Sequence, residues 1–321
     1  MNTRLTAALI AAAFAAIPVN AFAQDYGRIL SDPNYLPLTG ELDGTSAYTY
    51  GMTRGDTFDS ADAKLNSFRV NANTLTQSFE YGLNNDFSIG ASIAYDPMDH
   101  IKIEPVGGPS TSRDRSGFSD PTFNVNWRAM DGGPMIFDLF ASYSPDFVKA
   151  QYATPTDDGT LGRGGQAASF GAGLGHEWPN FGLRATASAD WLDNRNIDAP
   201  ATASTQRLGS TWNYDLGLNA QARFTDRMSA NFGGGYSIRR SLTDNDAVLG
   251  ANWTIHPGDV ANLHAALNYH FVPNRVVGSL TYQYNAYNSS TNSNATPATF
   301  DSRARNQNEN IFGAKLAYVL N

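Results

Sequence analysis

Residues 212–238 read WNYDLGLNAQARFTDRMSANFGGGYSI, and their alternation decides the fold. Trp212, Tyr214, Leu216, Leu218, Ala220, Ala222 and Phe224 share one face of a chain with period two, and Asn213, Asp215, Gly217, Asn219, Gln221 and Arg223 share the other. That period defines a β-strand. Thr225-Asp226-Arg227 turns the chain, after which Met228, Ala230, Phe232, Gly234, Tyr236 and Ile238 alternate with Ser229, Asn231, Gly233, Gly235 and Ser237. Each arm reaches the roughly 9–11 residues that a tilted strand needs to cross a bilayer. The hairpin is therefore expected to be one unit of an all-β, transmembrane, antiparallel up-and-down β-barrel.

The pattern recurs outward from this hairpin. Upstream, strands are expected near Ser46–Arg54, Ser67–Leu83 and Phe87–Asp96, then through Val125 and Trp127, Phe137–Tyr143, Gln166–Trp178 and Phe181–Trp191. Downstream, Leu263–Phe271, Leu280–Ala286 and Phe312–Leu320 bring the total to about twelve. In the second strand, Phe68, Val70 and Ala72 point outward before Leu75, Phe79 and Tyr81 take over, which predicts a β-bulge near Thr74. Connections after even-numbered strands are short, as at Asn84-Asn85-Asp86, Pro179-Asn180 and Pro273-Asn274; those after odd-numbered strands are mostly long, as at Pro97–Gly117 and Pro145–Gly164. In outer-membrane barrels the short turns are periplasmic, so both termini are expected in the periplasm. A soluble sandwich would alternate as well. Uniform arm length, loop asymmetry and aromatic arm ends such as Trp127, Trp178, Trp191, Trp212, Tyr269 and Phe271 favour the barrel, which also pairs every backbone group where water is absent.

Met1–Ala23 has Arg4, an apolar run from Ala7 to Val19 and the small-x-small ending Ala21-Phe22-Ala23, the signature of a secretory signal peptide. Three segments are thus expected: 1–23 as signal peptide, 24–44 as a periplasmic N-terminal segment or plug, and 45–321 as the barrel. For 24–44, one reading is a disordered lead; the other is that Ile29, Leu30, Tyr35, Leu36 and Leu38 fold it back into the lumen. The chain contains no cysteine, which excludes a disulfide framework, a thiolate metal site and a cysteine nucleophile. The net charge of −8 becomes −9 once Arg4 is removed, making nucleic acid an improbable partner. A mean hydropathy of −0.36 would suit a soluble protein, yet barrels conceal their apolar face by alternation.

Inward positions carry Arg69, Glu80, Asp96, Asp120, Arg128, Asp138, Glu177, Arg184, Asp190, Asp215, Arg223, Arg239 and Lys315. Of these, Arg69, Asp120, Arg128, Asp138, Arg184, Asp215, Arg223, Arg239 and Lys315 are the lumen and selectivity candidates. Opposed charges in a wide barrel either line an eyelet that selects solutes or pair across strands and fill the lumen. Abundant Asn, Ser, Thr, Gln and Gly on the inward positions favours polar solutes. Of the five histidines, only His264 and His270 share a strand face, and about 20 Å separates them along it, too far for one metal. No cofactor, metal site or catalytic residue is expected. Serine is too common to nominate a hydrolase nucleophile, so an outer-membrane lipase or protease is a minority reading. Gly171-Ala172-Gly173-Leu174-Gly175 lacks the strand-to-helix setting of a nucleotide loop.

Gly117-Phe118-Ser119-Asp120-Pro121-Thr122, running into Asn124-Val125-Asn126-Trp127-Arg128, and Tyr81-Gly82-Leu83-Asn84-Asn85-Asp86-Phe87-Ser88-Ile89-Gly90 resemble the outer-membrane barrel family associated with the meta-pathway of phenol degradation. The resemblance implies a Gram-negative outer-membrane location and passage of aromatic or other small compounds, with Asp120 as the acidic position of the motif. Gly313, Leu316, Tyr318 and Leu320 resemble the C-terminal outer-membrane assembly signal, although the chain ends on Asn321 instead of an aromatic. The expected partners are outer-membrane lipid, lipopolysaccharide, the barrel assembly machinery and a small-molecule solute. Two functions stay open: a passive channel, or a non-conducting barrel with a structural or surface-interaction role.

Overall fold

The computed structural model describes residues 30–132, 134–153, 158–199, 204–246, 251–294 and 302–320. The expected signal peptide and the first residues of the N-terminal segment lie outside the described residues.

Twelve antiparallel staves close into a barrel. The first three are β1 (Leu42–Asp59), β2 (Lys64–Asn84) and β3 (Phe87–Pro105). The fourth is built from two pieces, β4 (Thr111–Phe118) and β5 (Thr122–Gly132). Next come β6 (Met135–Ser144), β7 (Ala167–Trp178) and β8 (Phe181–Leu192). A short hairpin, β9 (Arg195–Ala199) and β10 (Ser204–Leu208), precedes the staves β11 (Thr211–Thr225) and β12 (Met228–Arg239). A second hairpin, β13 (Leu242–Asp246) and β14 (Ala251–His256), precedes the staves β15 (Val260–Val272) and β16 (Val276–Tyr287). After β17 (Ser290–Asn294), the last stave β18 (Ser302–Val319) pairs with both β16 and β1 and seals the wall. Closure leaves no stave with an unpaired edge, the condition for crossing lipid.

Alternation sorts the side chains as the sequence requires. Leu216, Phe170, Leu174, Leu280, Phe312 and Leu316 all stand exposed on the outer face. A solvated protein would bury such residues; a barrel wall offers them to acyl chains. Trp127, Trp178, Phe224, Tyr269 and Phe271 ring the short-turn end. Toward the long-loop end, the Tyr48 and Tyr282 hydroxyls donate to Asn73 Oδ1 (2.8 Å) and Asn310 Oδ1 (2.9 Å), which marks the change from apolar to polar surface.

Beyond that boundary the wall continues as a collar. β10 pairs with β9 and β13, β14 with β13 and β17, and β17 with β18. The segment expected as a long loop over Pro97–Gly117 is instead the end of β3 and the paired strand β4. The connection after β6 fills the remaining gap: Gly159 bridges Arg115, Thr160 N donates to Gln151 O (3.1 Å), and Gln151 bridges Asp198 of β9. Backbone pairing thus runs round the whole collar. These five extra strands, and β4 with them, were not legible because both faces of the collar meet water, so no apolar alternation marks them.

The bulge also lies elsewhere than the sequence implies. β2 keeps unbroken register with β1 from Tyr81 to Asn66, so Phe68, Val70 and Ala72 face inward and Arg69 outward. The extra residue sits in β3, between Asp96 and Asp99, where Pro97 has no N–H to give to a ladder. Gly117, at φ +118°, takes the backbone conformation at which β4 gives way to β5.

Candidate transport lumen

Residues 30–41 lie against the inner wall at the short-turn end. Ser31 accepts on its backbone oxygen from Asn231 Nδ2 (2.7 Å), and its hydroxyl accepts from Gln221 Nε2 (2.6 Å). Gln221 is fully buried, and Asn268 Nδ2 extends the network to Asn231 Oδ1 (2.6 Å) and Ser229 Oγ (3.1 Å). Asn34, Leu36 and Pro37 are buried, and the Tyr35 hydroxyl donates to Asp43 Oδ2 at 2.7 Å. The wall admits this backbone at glycines: a Cβ on Gly82 would overlap Leu38, and one on Gly175 would overlap Asn34. Those two inward glycines are the sequence signal for a docked segment, visible only once the segment's path is known.

Two ion-paired groups lie in this half, alongside Glu80, which accepts from the Ser88 hydroxyl and from Asn126 Nδ2 at 2.8 Å. Asp138 lies between two guanidinium groups, accepting from Arg128 Nε at 3.0 Å and from Arg184 Nη1. Arg128 also donates to the Asn34 carbonyl, so the cluster ties β5, β6 and β8 to the N-terminal segment. Arg223 Nη2 stands 3.4 Å from Asp32 Oδ2, and the Asp32 carboxylate also accepts from Asn34 N at 2.9 Å. Burial nevertheless pushes the Asp32 carboxyl above its ordinary value, outweighing the Asn34 N–H and Arg223. Lys315 faces a small cavity of about 80 Å³ that Leu30, Ser31 and Asn268 also line.

The half nearer the collar is organised differently. Asp215 accepts from the Ser237 hydroxyl and lies beside Asp190. Glu309 accepts from Thr53 Oγ1 (3.1 Å), Asn285 Nδ2 (2.6 Å) and the Tyr287 hydroxyl (2.9 Å). Arg239 packs over the Tyr287 ring at 5.5 Å. Here hydroxyls and amides, not cations, hold Asp215 and Glu309, so their charge is left to act on the lumen, whereas Asp99, also toward the collar, is paired with Arg115 at 2.7 Å.

Of the sequence candidates, Arg128, Asp138 and Arg184 come together, Arg223 joins the N-terminal segment, and Asp215 and Arg239 occupy the other half. Arg69 is corrected: the β1–β2 register puts it on the outer face. Asp120 has a structural task. Buried at the β4–β5 break, it accepts from Phe147 N (2.9 Å), Val148 N (2.7 Å) and Arg163 N (2.9 Å), anchoring both ends of the segment that completes the collar. Glu309, hidden in a stretch without apolar alternation, was missed by sequence reasoning.

No protein-family model matches the chain, and no curated protein matches it. The phenol-degradation resemblance therefore gains no support from a family model. Solved structures do match in fold. An outer membrane channel from Pseudomonas putida F1 is similar with a TM-score of 0.58 at 12% identity, covering 94% of this chain and 100% of that one. The transport unit of the autotransporter AIDA-I from Escherichia coli gives 0.56 at 10% identity, covering 98% and 97%. The fold is that of outer-membrane β-barrels.

Proposed function

We propose that this chain is an outer-membrane channel for passive passage of small polar solutes, entered through the collar and throttled at the short-turn end by residues 30–41. The observation that carries this reading is the division of the lumen: Glu309 and Asp215 held by neutral donors toward the collar, and the Arg128–Asp138–Arg184 and Arg223–Asp32 ion pairs with a docked segment at the other end. The open acidic half favours cations and hydrogen-bonding solutes over anions. The short-turn end and both ends of the barrel sequence face the periplasm in this reading, and the docked segment is the plug of the second N-terminal alternative. The resemblance noted in the sequence adds aromatic compounds with polar substituents to the solutes worth testing. The second reading, a non-conducting barrel, is favoured by the filled short-turn half.

Planar-bilayer recording separates the two. The full chain is expected to show small, cation-preferring conductance, and a chain lacking residues 24–41 a severalfold larger one. Absence of stable conductance from both would leave the non-conducting barrel. Conductance that is equal in both would remove the throttle.

A further inference from the structure

Cations on the outer face are concentrated on one sector of the collar. Arg54 of β1 is the direct cross-strand partner of Arg69 of β2, which in turn partners Lys102 of β3. Three positive side chains therefore stand in one row across three neighbouring strands. Like charges directly opposite one another weaken a sheet, so the row calls for an anion.

The nearby carboxylates form their ion pairs with lysines and not with the two arginines, although Glu104 also feels the Arg69 charge. Lys64 Nζ takes Asp56 at 2.8 Å, and Lys102 Nζ takes Glu104 at 2.7 Å. Arg303 and Arg305 share Asp62. Among the described residues, Arg54 and Arg69 make no ion pair. Between them opens a polar groove of about 350 Å³, to which Ser67 and Asn308 add neutral hydrogen-bonding groups and whose rim also carries the lysine-paired Asp56 and Glu104.

The same sector continues toward the short-turn end as an apolar groove of about 500 Å³. Tyr48, Leu75, Ile93, Tyr95, Phe118 and Leu316 line its outer face. Six residues separate Leu75 from Arg69, and six separate Tyr48 from Arg54, which is about 20 Å along a strand and about 14 Å of depth at a 45° tilt. The Tyr48–Asn73 hydrogen bond lies between the two levels. A cationic shelf at the edge of the apolar band, with a trough below it on the same strands, has the dimensions of one lipid headgroup and its chains.

We propose that the β18–β1–β2–β3 sector is a binding site for a phosphate-bearing membrane lipid, its phosphate held between Arg54 and Arg69 and its acyl chains in the trough. Guanidinium forks match phosphate oxygens in pairs, where a carboxylate-poor row of lysines would act only as point charges. The inference rests on the barrel spanning a membrane, as the function proposed above also does. With the collar facing outward, the lipid is the phosphorylated glycolipid of the outer leaflet.

The test uses the full chain, purified in non-ionic detergent, with lipid A, dioleoylphosphatidylethanolamine or inorganic phosphate added. Retention is read by native mass spectrometry, and stabilisation by the temperature at which the folded band is lost on a gel. Lipid A is expected to be retained and to raise that temperature. R54Q/R69Q is expected to lose at least about tenfold in lipid A affinity, the loss that one charge-assisted contact represents. R54K/R69K is expected to fall between. R275Q, at the short-turn end, controls for net charge. Should R54Q/R69Q fold poorly, R69Q alone carries the comparison. Equal retention by R54Q/R69Q and the unsubstituted chain overturns the proposal, as does failure of the unsubstituted chain to retain lipid A. Stabilisation by inorganic phosphate equal to that by lipid A also overturns it, since the trough would then contribute nothing. Failure of membrane insertion is read separately, by flotation with phosphatidylcholine vesicles.

Discussion

Two groups of lumen carboxylates, one near the short turns and one near the collar, are held in opposite ways. Near the short turns, every carboxylate of the Arg128–Asp138–Arg184 and Arg223–Asp32 groups has a guanidinium partner, and a stretch of the chain itself occupies the space. Near the collar, Glu309 and Asp215 are oriented by Thr, Ser, Asn and Tyr. Paired charges cancel and become structure. Charges held by neutral donors keep their field.

The sharpest challenge to this contrast is Asp138→Asn. Removing the shared carboxylate leaves Arg128 and Arg184 side by side with little exposure, a loss expected to cost about 3–5 kcal/mol. Denaturant unfolding in detergent, followed by the folded-band gel shift, measures it. A cost below about 1 kcal/mol would mean that water, not Asp138, compensates these guanidinium groups.

Asp120→Ala tests whether the collar is held as the hydrogen bonds indicate. Loss of a charged acceptor costs roughly 1.5–3 kcal/mol. Here it should appear as faster proteolytic cleavage between residues 145 and 165, with barrel stability nearly unchanged. Glu309→Gln should do the reverse of Asp138→Asn. Its amide oxygen can still accept from Asn285 and Tyr287 while its N–H donates to the Thr53 hydroxyl, so stability should change by less than about 1.5 kcal/mol, while the cation-to-anion permeability ratio in bilayers falls. An unchanged ratio would show that the acidic half does not set the selectivity.

The smallest effect concerns pH. The docked Asp32 carboxyl titrates above its ordinary value of 3.8, whereas a released segment would titrate near it. The docked state therefore binds the proton more tightly, and docking strengthens as pH falls through the interval between the two values. That gain is complete below 3.8 and lost above the raised value. A nitroxide at Leu38, an exposed position of the segment, should become less mobile on acidification; increased mobility would reverse the sign.

The staves were legible because lipid on one side and polar groups on the other force a strict two-residue rhythm, as in Trp212–Phe224 and Phe181–Trp191. The same rhythm misled at Phe68, Val70 and Ala72. They lie in a collar whose two faces both meet water, so their outward assignment, and with it the inward one of Arg69, failed. Asp120 was visible as the acidic position of a motif, but its three amide partners lie 27 to 43 residues away in sequence.

From its sequence alone, this protein is fixed as a barrel of about twelve staves with short turns at one end and long excursions at the other. Period, arm length and turn chemistry are local properties, so they can be read along the chain. Only the closed tertiary structure decides which charges meet across the lumen, where the N-terminal segment docks and how the long excursions complete a collar. Those outcomes depend on register and on contacts between residues 200 or more positions apart, as between Ser31 and Asn231, and no local pattern encodes them.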